Sequence, residues 1–276
     1  MDDFIGRTQR IRDRIDPWKA AALHDTLDLD APAPGPGQPL PNFWHWIYFL
    51  ESRPLRELGR DGHPLKGGGG FMPDLGLPRR MWAGSRLTFH RPLSIGAEAE
   101  RAATIANVER KEGRTGPLAF VTVRYEISDS DGLALTEEQD IVYREDPKPG
   151  DPAKAPAAAP TDEHRSRRVD YTSTKLFRYS ALTFNGHRIH YDREYATGVE
   201  GYAGLITHGP LIAQEMLGFG EAEPGRRAKS YSYRALSPAF DFEALEFCAK
   251  DDDDGADLWT RGPDGRLVMK GRIEFA

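Results

Sequence analysis

The sequence predicts an α+β fold made by duplicating one unit, in which antiparallel strands gather around an apolar helix. Three observations lead there. First, from Met81 the chain reads as four strand-like segments, MWAGSRLTFHRPL, EAERAATIANVERKEG, PLAFVTVRYEISDSDG and LALTEEQDIVYRE, separated by turn residues. Within them Phe120, Thr122, Arg124 and Glu126 alternate with Val121, Val123, Tyr125 and Ile127, the period of a strand with one buried face. Second, this grammar returns in the second half. RPLS at Arg91 to Ser94 is echoed by RALS at Arg234 to Ser237, a Glu- and Ala-rich segment follows each, and each half closes on a hairpin at Asp131-Gly132 or Asp264-Gly265. Third, GPLIAQEMLGF, from Gly209 to Phe219, spaces Leu211, Ile212, Met216 and Leu217 as a helix packed inside a sheet would. Only a Gly/Pro-rich passage precedes RPLS, so the N-terminal half reads as a degraded copy of the unit and the C-terminal half as the complete one.

Composition bounds the function. The chain has 276 residues, 39% of them hydrophobic and 29% charged, with a formal net charge of -6 and no persistently basic stretch. Nucleic acid is therefore set aside as a partner, because phosphate binding needs clustered Lys and Arg. No apolar run approaches the roughly 20 residues that span a bilayer, so no membrane association is expected. The charged opening, MDDFIGRTQRIRDRID, lacks the apolar core of a signal peptide. A single cysteine, Cys248, suits a reducing compartment, and cytoplasm is the expected location. Cys248 lies in the apolar run FEALEFCA and reads as a buried structural thiol.

Along the chain, Asp2 to Leu29 reads as helical, with Trp18, Ala22, Leu23 and Leu27 on one face. Ala31 to Pro41 is rich in Pro and Gly and ends it. The aromatic run that follows, centred on Trp44 to Phe49, suits core or a domain interface better than a binding surface. Leu58 to Pro78, containing Gly67 to Gly70, reads as a flexible loop; no Lys-Ser/Thr follows the glycines, so it is not a phosphate loop. Asp146 to Glu163 is a second Pro/Ala-rich linker and divides the chain into residues 1–155 and 156–276.

Chemistry concentrates in FRYSALTFNGHRIHYDREYA, from Phe177 to Ala196, and GYAGLITHGPLIAQEM, from Gly201 to Met216. They hold His187, His190 and His208 with Asn185, Arg188 and Asp192. Imidazoles exchange protons near neutral pH, and an amide orients water or a carbonyl. His208-Gly209-Pro210 stands at the start of the apolar helix, where Pro suits the first turn and Gly lets a ligand approach the backbone. The N–H groups there favour a developing oxyanion. A base beside such donors is what a reaction through a thioester enolate requires. Other charges read as surface: Arg226, Arg227 and Lys229 as loop cations rather than CoA-phosphate ligands, and Asp251 to Asp254 as a solvated turn without calcium-loop spacing.

The segment resembles the MaoC-like enoyl-thioester hydratase motif, roughly Asp-x-Asn-Pro-x-His-x-Asp-x-x-x-Ala. His190-Tyr191-Asp192 and Ala196 match its second part, and LITHGPLI is similar to the family's second signature. PRRMWAGSRLTFHRPLSIG, from Pro78 to Gly96, resembles the FAS1-like N-terminal half of the type 2 3-hydroxyacyl-thioester dehydratases and the mesaconyl-C4-CoA and itaconyl-CoA hydratases. The resemblance runs from Phe43 to the C-terminus. It implies a double hotdog of two antiparallel sheets, each wrapping or having lost a central helix, and an enzyme that hydrates 2-enoyl thioesters or dehydrates 3-hydroxyacyl thioesters. It also implies His190 and Asn185 as catalytic residues and His187, Arg188, His208 and Gly209 as substrate-binding residues, with no cofactor and no metal. There is one departure: Asn185 stands where the family has its catalytic Asp, and His187 where it has Asn. Asp192 and His187 are then reserve candidates for a second titrating group. Arg188, if it faces the pocket, would favour an acyl chain bearing its own carboxylate. The expected partners are an acyl-CoA or acyl-carrier-protein thioester and a second copy of the chain in a homodimer. Three alternatives stay open: thioester hydrolysis, an inactive acyl-thioester-binding subunit, and a metal site built from His187, His190, Asp192 and His208.

Overall fold

The period-two segments form strands. In the computed structural model, β1 (Thr8–Arg14), β2 (Arg79–Phe89), β3 (Glu98–Gly113), β4 (Gly116–Asp129) and β5 (Gly132–Arg144) belong to the N-terminal half. The C-terminal half supplies β6 (Arg165–Asp170), β7 (Ala228–Ala235), β8 (Ala244–Asp251), β9 (Gly255–Arg261) and β10 (Leu267–Phe275). The structure describes residues 4–65, 70–113, 116–145, 155–223 and 225–276. The glycine run read as a flexible loop and the linker at Asp146 therefore fall partly outside the described residues. The strands run β1-β3-β4-β5-β2-β7-β10-β9-β8-β6, so each half repeats the other's order about a central joint. At that joint β2 and β7 pair antiparallel, Ser85 opposite Tyr233 and Leu87 opposite Tyr231, and the two sheets become one continuous surface.

Four helices accompany the sheet among the described residues: α1 (Pro17–Leu27), α2 (Ser173–Leu182), α3 (Arg193–Gly198) and α4 (Gly209–Gly220). The helix expected over Asp2 to Leu29 is shorter, because Pro17 lacks an N–H and Asp16 caps the amides of Trp18 and Lys19 at 2.8 and 3.2 Å. Before that cap the chain becomes the edge strand β1 on β3. The expected face also turns: Trp18 is 72% exposed, while Ala20, Leu23 and Leu27 are buried.

In α4, Leu211, Ile212, Ala213, Met216 and Leu217 are all buried and the helix packs on β7 to β10. Burying a Leu or Ile side chain contributes about 1.5–3 kcal/mol, so this helix anchors the C-terminal half. Among the described residues, the corresponding stretch of the N-terminal half contains only α1 and two short 3-10 turns, Trp44–Ile47 and Leu55–Glu57. The aromatic run Phe43, Trp44, Ile47, Tyr48 and Phe49 is buried there and joins the core that includes α4. Cys248 is fully buried, and burial pushes its thiol up to about 12. No helix among the described residues is long and apolar enough to cross a membrane.

Candidate active site

The histidine-bearing segment is built from short-range hydrogen bonds. Thr172 caps α2 by accepting from the Lys175 amide at 3.2 Å. After the helix Asn185 Oδ1 accepts from the His187 amide at 3.0 Å, an Asx turn that redirects the chain. A 3-10 turn carries Arg188 to His190, and Asp192 then caps α3 by accepting from the Tyr195 amide at 3.0 Å. Ile206 closes the segment: its amide donates to the Ile189 carbonyl at 3.0 Å.

These turns stack imidazoles in a row. The His190 and His208 rings lie 3.7 Å apart at 17°, His187 stands edge-on to His190 at 5.4 Å, and His63 packs on His187 at 4.1 Å. His190 Nδ1 meets the Ile206 carbonyl at 2.7 Å. A carbonyl only accepts, so Nδ1 carries the proton and Nε2 keeps a lone pair. Burial lowers the His190 pKa to about 4, and burial likewise holds His208 well below the ordinary imidazole range. His187 falls to about 2, through burial and then the neighbouring His63 and His190. Two stacked imidazoliums would repel, and His187, His190 and His208 are all held in the neutral form at pH 7. His208 Nε2 bonds to Ser180 Oγ at 2.8 Å, while its buried Nδ1 has no partner among the described residues.

His208 is also the N-cap residue of α4, but its side chain does not cap the helix. Pro210 has no N–H, and the amides of Gly209 and Leu211 lie in the first turn, where intrahelical acceptors are absent. A side chain at Gly209 would place its Cβ 2.8 Å from the Trp82 ring of β2. The helix start therefore rests directly on the N-terminal half.

A second contact joins the halves at the motif itself. The turn Asp61-Gly62-His63 seats on Asn185-Gly186-His187, and the Arg188 amide donates to the Asp61 carbonyl at 2.9 Å. Gly62 has φ +88°, and a Cβ there would lie 1.8 Å from the Gly186 carbonyl oxygen. This stretch was expected to be flexible. Up to Leu65 it is a closed turn, with the Gly59 amide donating to the His63 carbonyl at 2.7 Å.

Between the halves lies a cavity of about 330 Å³, lined by Asn185, His208 and Pro210 on one side and by residues of the aromatic run, β3, β4 and β5 on the other. The aromatic run is thus cavity wall as well as core. Sequence reasoning missed the buried pair His45 Nε2 and Glu137 Oε2, 2.9 Å apart, 7% and 2% exposed, which lines the same cavity. Gln139 Nε2 also donates to Glu137, at 3.2 Å. The signal was available in the pleat of β5, where Glu137 shares the inward face with Leu135 and Tyr143.

Of the residues singled out from the sequence, the structure brings Asn185, His187, His190, His208 and Gly209 together. It does not bring Arg188. That guanidinium is paired with Asp192 Oδ2 at 2.7 Å and lies over the Tyr195 ring at 4.1 Å, partly in solvent. Asp192 is consequently occupied as cap and ion partner, which removes it both as a titrating group and from the suggested metal set. Arg226 is spent on Glu223 and Asp251, and Asp252 pairs with Arg272. Among the described residues, Asp61, His63 and His187 offer donor atoms that all lie within 4.8 Å of one another and could hold a metal ion.

Residues 43–241 match the family of hydroxyacyl-thioester dehydratase type 2. The chain is 44% identical over 275 residues to the mesaconyl-C(4)-CoA hydratase of Chloroflexus aurantiacus, covering 99% of this chain and 96% of that one. The solved structure of HtdX from Mycobacterium tuberculosis superposes with a TM-score of 0.69 at 19% identity, over 98% of this chain and 100% of that one. A second Mycobacterium tuberculosis protein, with a double hotdog fold, gives 0.55 at 15% identity over 98% and 96%. Both likenesses concern the fold, a double hotdog. The chain belongs to the hydroxyacyl-thioester dehydratase type 2 family and is a hydro-lyase of acyl-CoA thioesters.

Proposed function

We propose that the chain reversibly adds water across the 2,3 double bond of a short, branched dicarboxylic enoyl-CoA of the mesaconyl-C4 type. The observation that carries the chemistry is the neutral His190, its tautomer fixed by Ile206, stacked on His208 at the head of α4. His190 Nε2 takes a proton from water as the water oxygen bonds to C3 and the double-bond electrons move to the thioester oxygen. The first-turn amides at Gly209 and Leu211 hold that oxyanion, and His190 returns the proton to C2. Asn185, tethered through Oδ1, has its amide NH₂ to orient the water. The enolate compensates the low basicity of His190, because its negative charge forms beside the imidazolium. His187 and His208 keep the row packed and desolvated.

The acyl class rests on the 44% identical relative and on a cavity between halves that divide at residues 155 and 156. A cytoplasmic homodimer acting on CoA rather than carrier-protein thioesters completes the reading; sedimentation tests the assembly. For the reaction, the enoyl-thioester absorbance is followed separately with mesaconyl-C4-, itaconyl- and crotonyl-CoA, with mass analysis of the products. Loss of the band with a gain of one water, fastest for mesaconyl-C4-CoA, is expected. Release of free CoA with the double bond intact would replace the hydratase by a thioesterase.

A further inference from the structure

A carboxylate-bearing acyl group needs a cation inside the cavity, and Arg188 does not provide it. Arg101 lies on β3, where Ala99, Ala103 and Ile105 on the same side are 5%, 1% and 0% exposed. Strand alternation therefore turns Arg101 toward the core. It is the one Lys or Arg among the described residues lining the cavity. Its guanidinium lies 5.9 Å from the Phe49 ring centroid and 5.2 Å from that of Tyr125. Among the described residues it makes no ion pair or hydrogen bond, and its Nε is buried without a partner.

The carboxylates nearest in the cavity wall are engaged elsewhere. Glu137 is held by His45 and Gln139, and Glu51 lies 3.5 Å from Arg53. A partly buried cation on a core face, its Nε shut off from solvent, favours a counter-charge, and a planar guanidinium beside two aromatic rings can present its fork to a carboxylate in bidentate geometry. Burial pushes the Tyr125 phenol up to about 12, so it remains a hydrogen-bond donor beside that fork.

We propose that Arg101, with Tyr125 beside it, is the receptor for the free carboxylate of a dicarboxylic acyl thioester whose reacting end lies at His190 and His208. The N-terminal half then selects the acyl chain, while the C-terminal half performs the chemistry. This assignment deepens the hydratase reading and rests on it for the identity of the reaction, but a binding measurement separates the two.

Calorimetry with succinyl-CoA and butyryl-CoA, which carry no double bond, reads the receptor without turnover. The full chain is expected to bind succinyl-CoA about tenfold or more tightly than butyryl-CoA. In Arg101→Met that preference disappears while butyryl-CoA affinity stays within about threefold, and Arg101→Lys retains part of it. In kinetics, Arg101→Met raises KM for mesaconyl-C4-CoA and leaves crotonyl-CoA hydration nearly unchanged. Equal affinities in the unaltered chain, or a preference that survives Arg101→Met, would overturn the assignment. So would an equal loss of both ligands, which marks a structural arginine. If the unaltered chain shows the preference yet hydrates no enoyl thioester, the carboxylate receptor stands and the hydratase reading fails.

Discussion

The two halves share one strand order but divide the work. The C-terminal half keeps α4 inside its sheet and carries the imidazole row; the N-terminal half has a short aromatic turn at Trp44–Ile47 in the corresponding stretch. Loss of a helix from a duplicated unit would ordinarily leave an apolar sheet face uncovered. Here the inward faces of β3, β4 and β5 instead bear Arg101, Tyr125, Glu137 and Gln139, and these line the cavity. A half that looks degraded by its missing helix has gained a polar wall. The difference teaches that space given up by packing in one copy is the cavity onto which the other copy's helix start opens, at His208 and Pro210.

The comparison breaks most visibly at Glu137. Glu137→Ala leaves the buried His45 ring nitrogen without its hydrogen-bond partner, and unfolding by urea should show a loss of about 1–3 kcal/mol; a loss under about 0.5 kcal/mol would mean the pair is not a built part of the wall. At the other wall, Gly209→Ala drives a methyl into the Trp82 ring and displaces the first-turn amides. Turnover is expected to drop about a hundredfold or more, with partial recovery when Trp82→Leu is added. Unchanged turnover would remove α4's start from the oxyanion site. Gly62→Ala tests the joint between the halves: its Cβ has no room beside Gly186, and φ +88° disfavours it. A stability loss of about 1–3 kcal/mol, together with lower activity, is the expected result.

The smallest effect concerns pH. His187 and His190 have folded pKa values of about 2 and about 4, below the ordinary 6.5. The unfolded chain then binds more protons between about pH 4 and 6.5, so these groups' contribution is complete above about 6.5 and is lost as pH falls. Each adds at most about 1.4 kcal/mol per pH unit to the slope. His190→Gln should flatten the fall in melting temperature between pH 6.5 and 5; an unchanged slope would mean His190 is not buried neutral.

Much of this architecture was legible in the sequence, for identifiable reasons. α4 combined Gly209-Pro210 with apolar spacing that suits a buried helix, and β4 alternated cleanly from Phe120 to Ile127. The edge strand β1, TQRIRDR, has one apolar residue, so periodicity was silent and only pairing with β3 makes it a strand. In the site, Asn185, His187, His190 and His208 fall within a short stretch and could be grouped by eye. His45, His63, Arg101 and Glu137 come from distant segments, and nothing in the sequence groups them until the fold and its register are known. Glu137 and Glu138 are neighbours in sequence; the pleat alone decides that one is buried against His45 and the other pairs with Arg86 outside. Arg188 misled for the converse reason: its position in the motif suggested the pocket, but an i,i+4 carboxylate at Asp192 captures it.

The most direct measurement is single-turnover hydration of mesaconyl-C4-CoA by the unaltered chain and by His190→Gln, with thioester affinity measured alongside. The account predicts that His190→Gln binds within about threefold of the unaltered chain yet hydrates about a hundred- to ten-thousandfold more slowly. Hydration by His190→Gln within about tenfold of the unaltered rate would contradict it and move the proton chemistry to another group in the cavity.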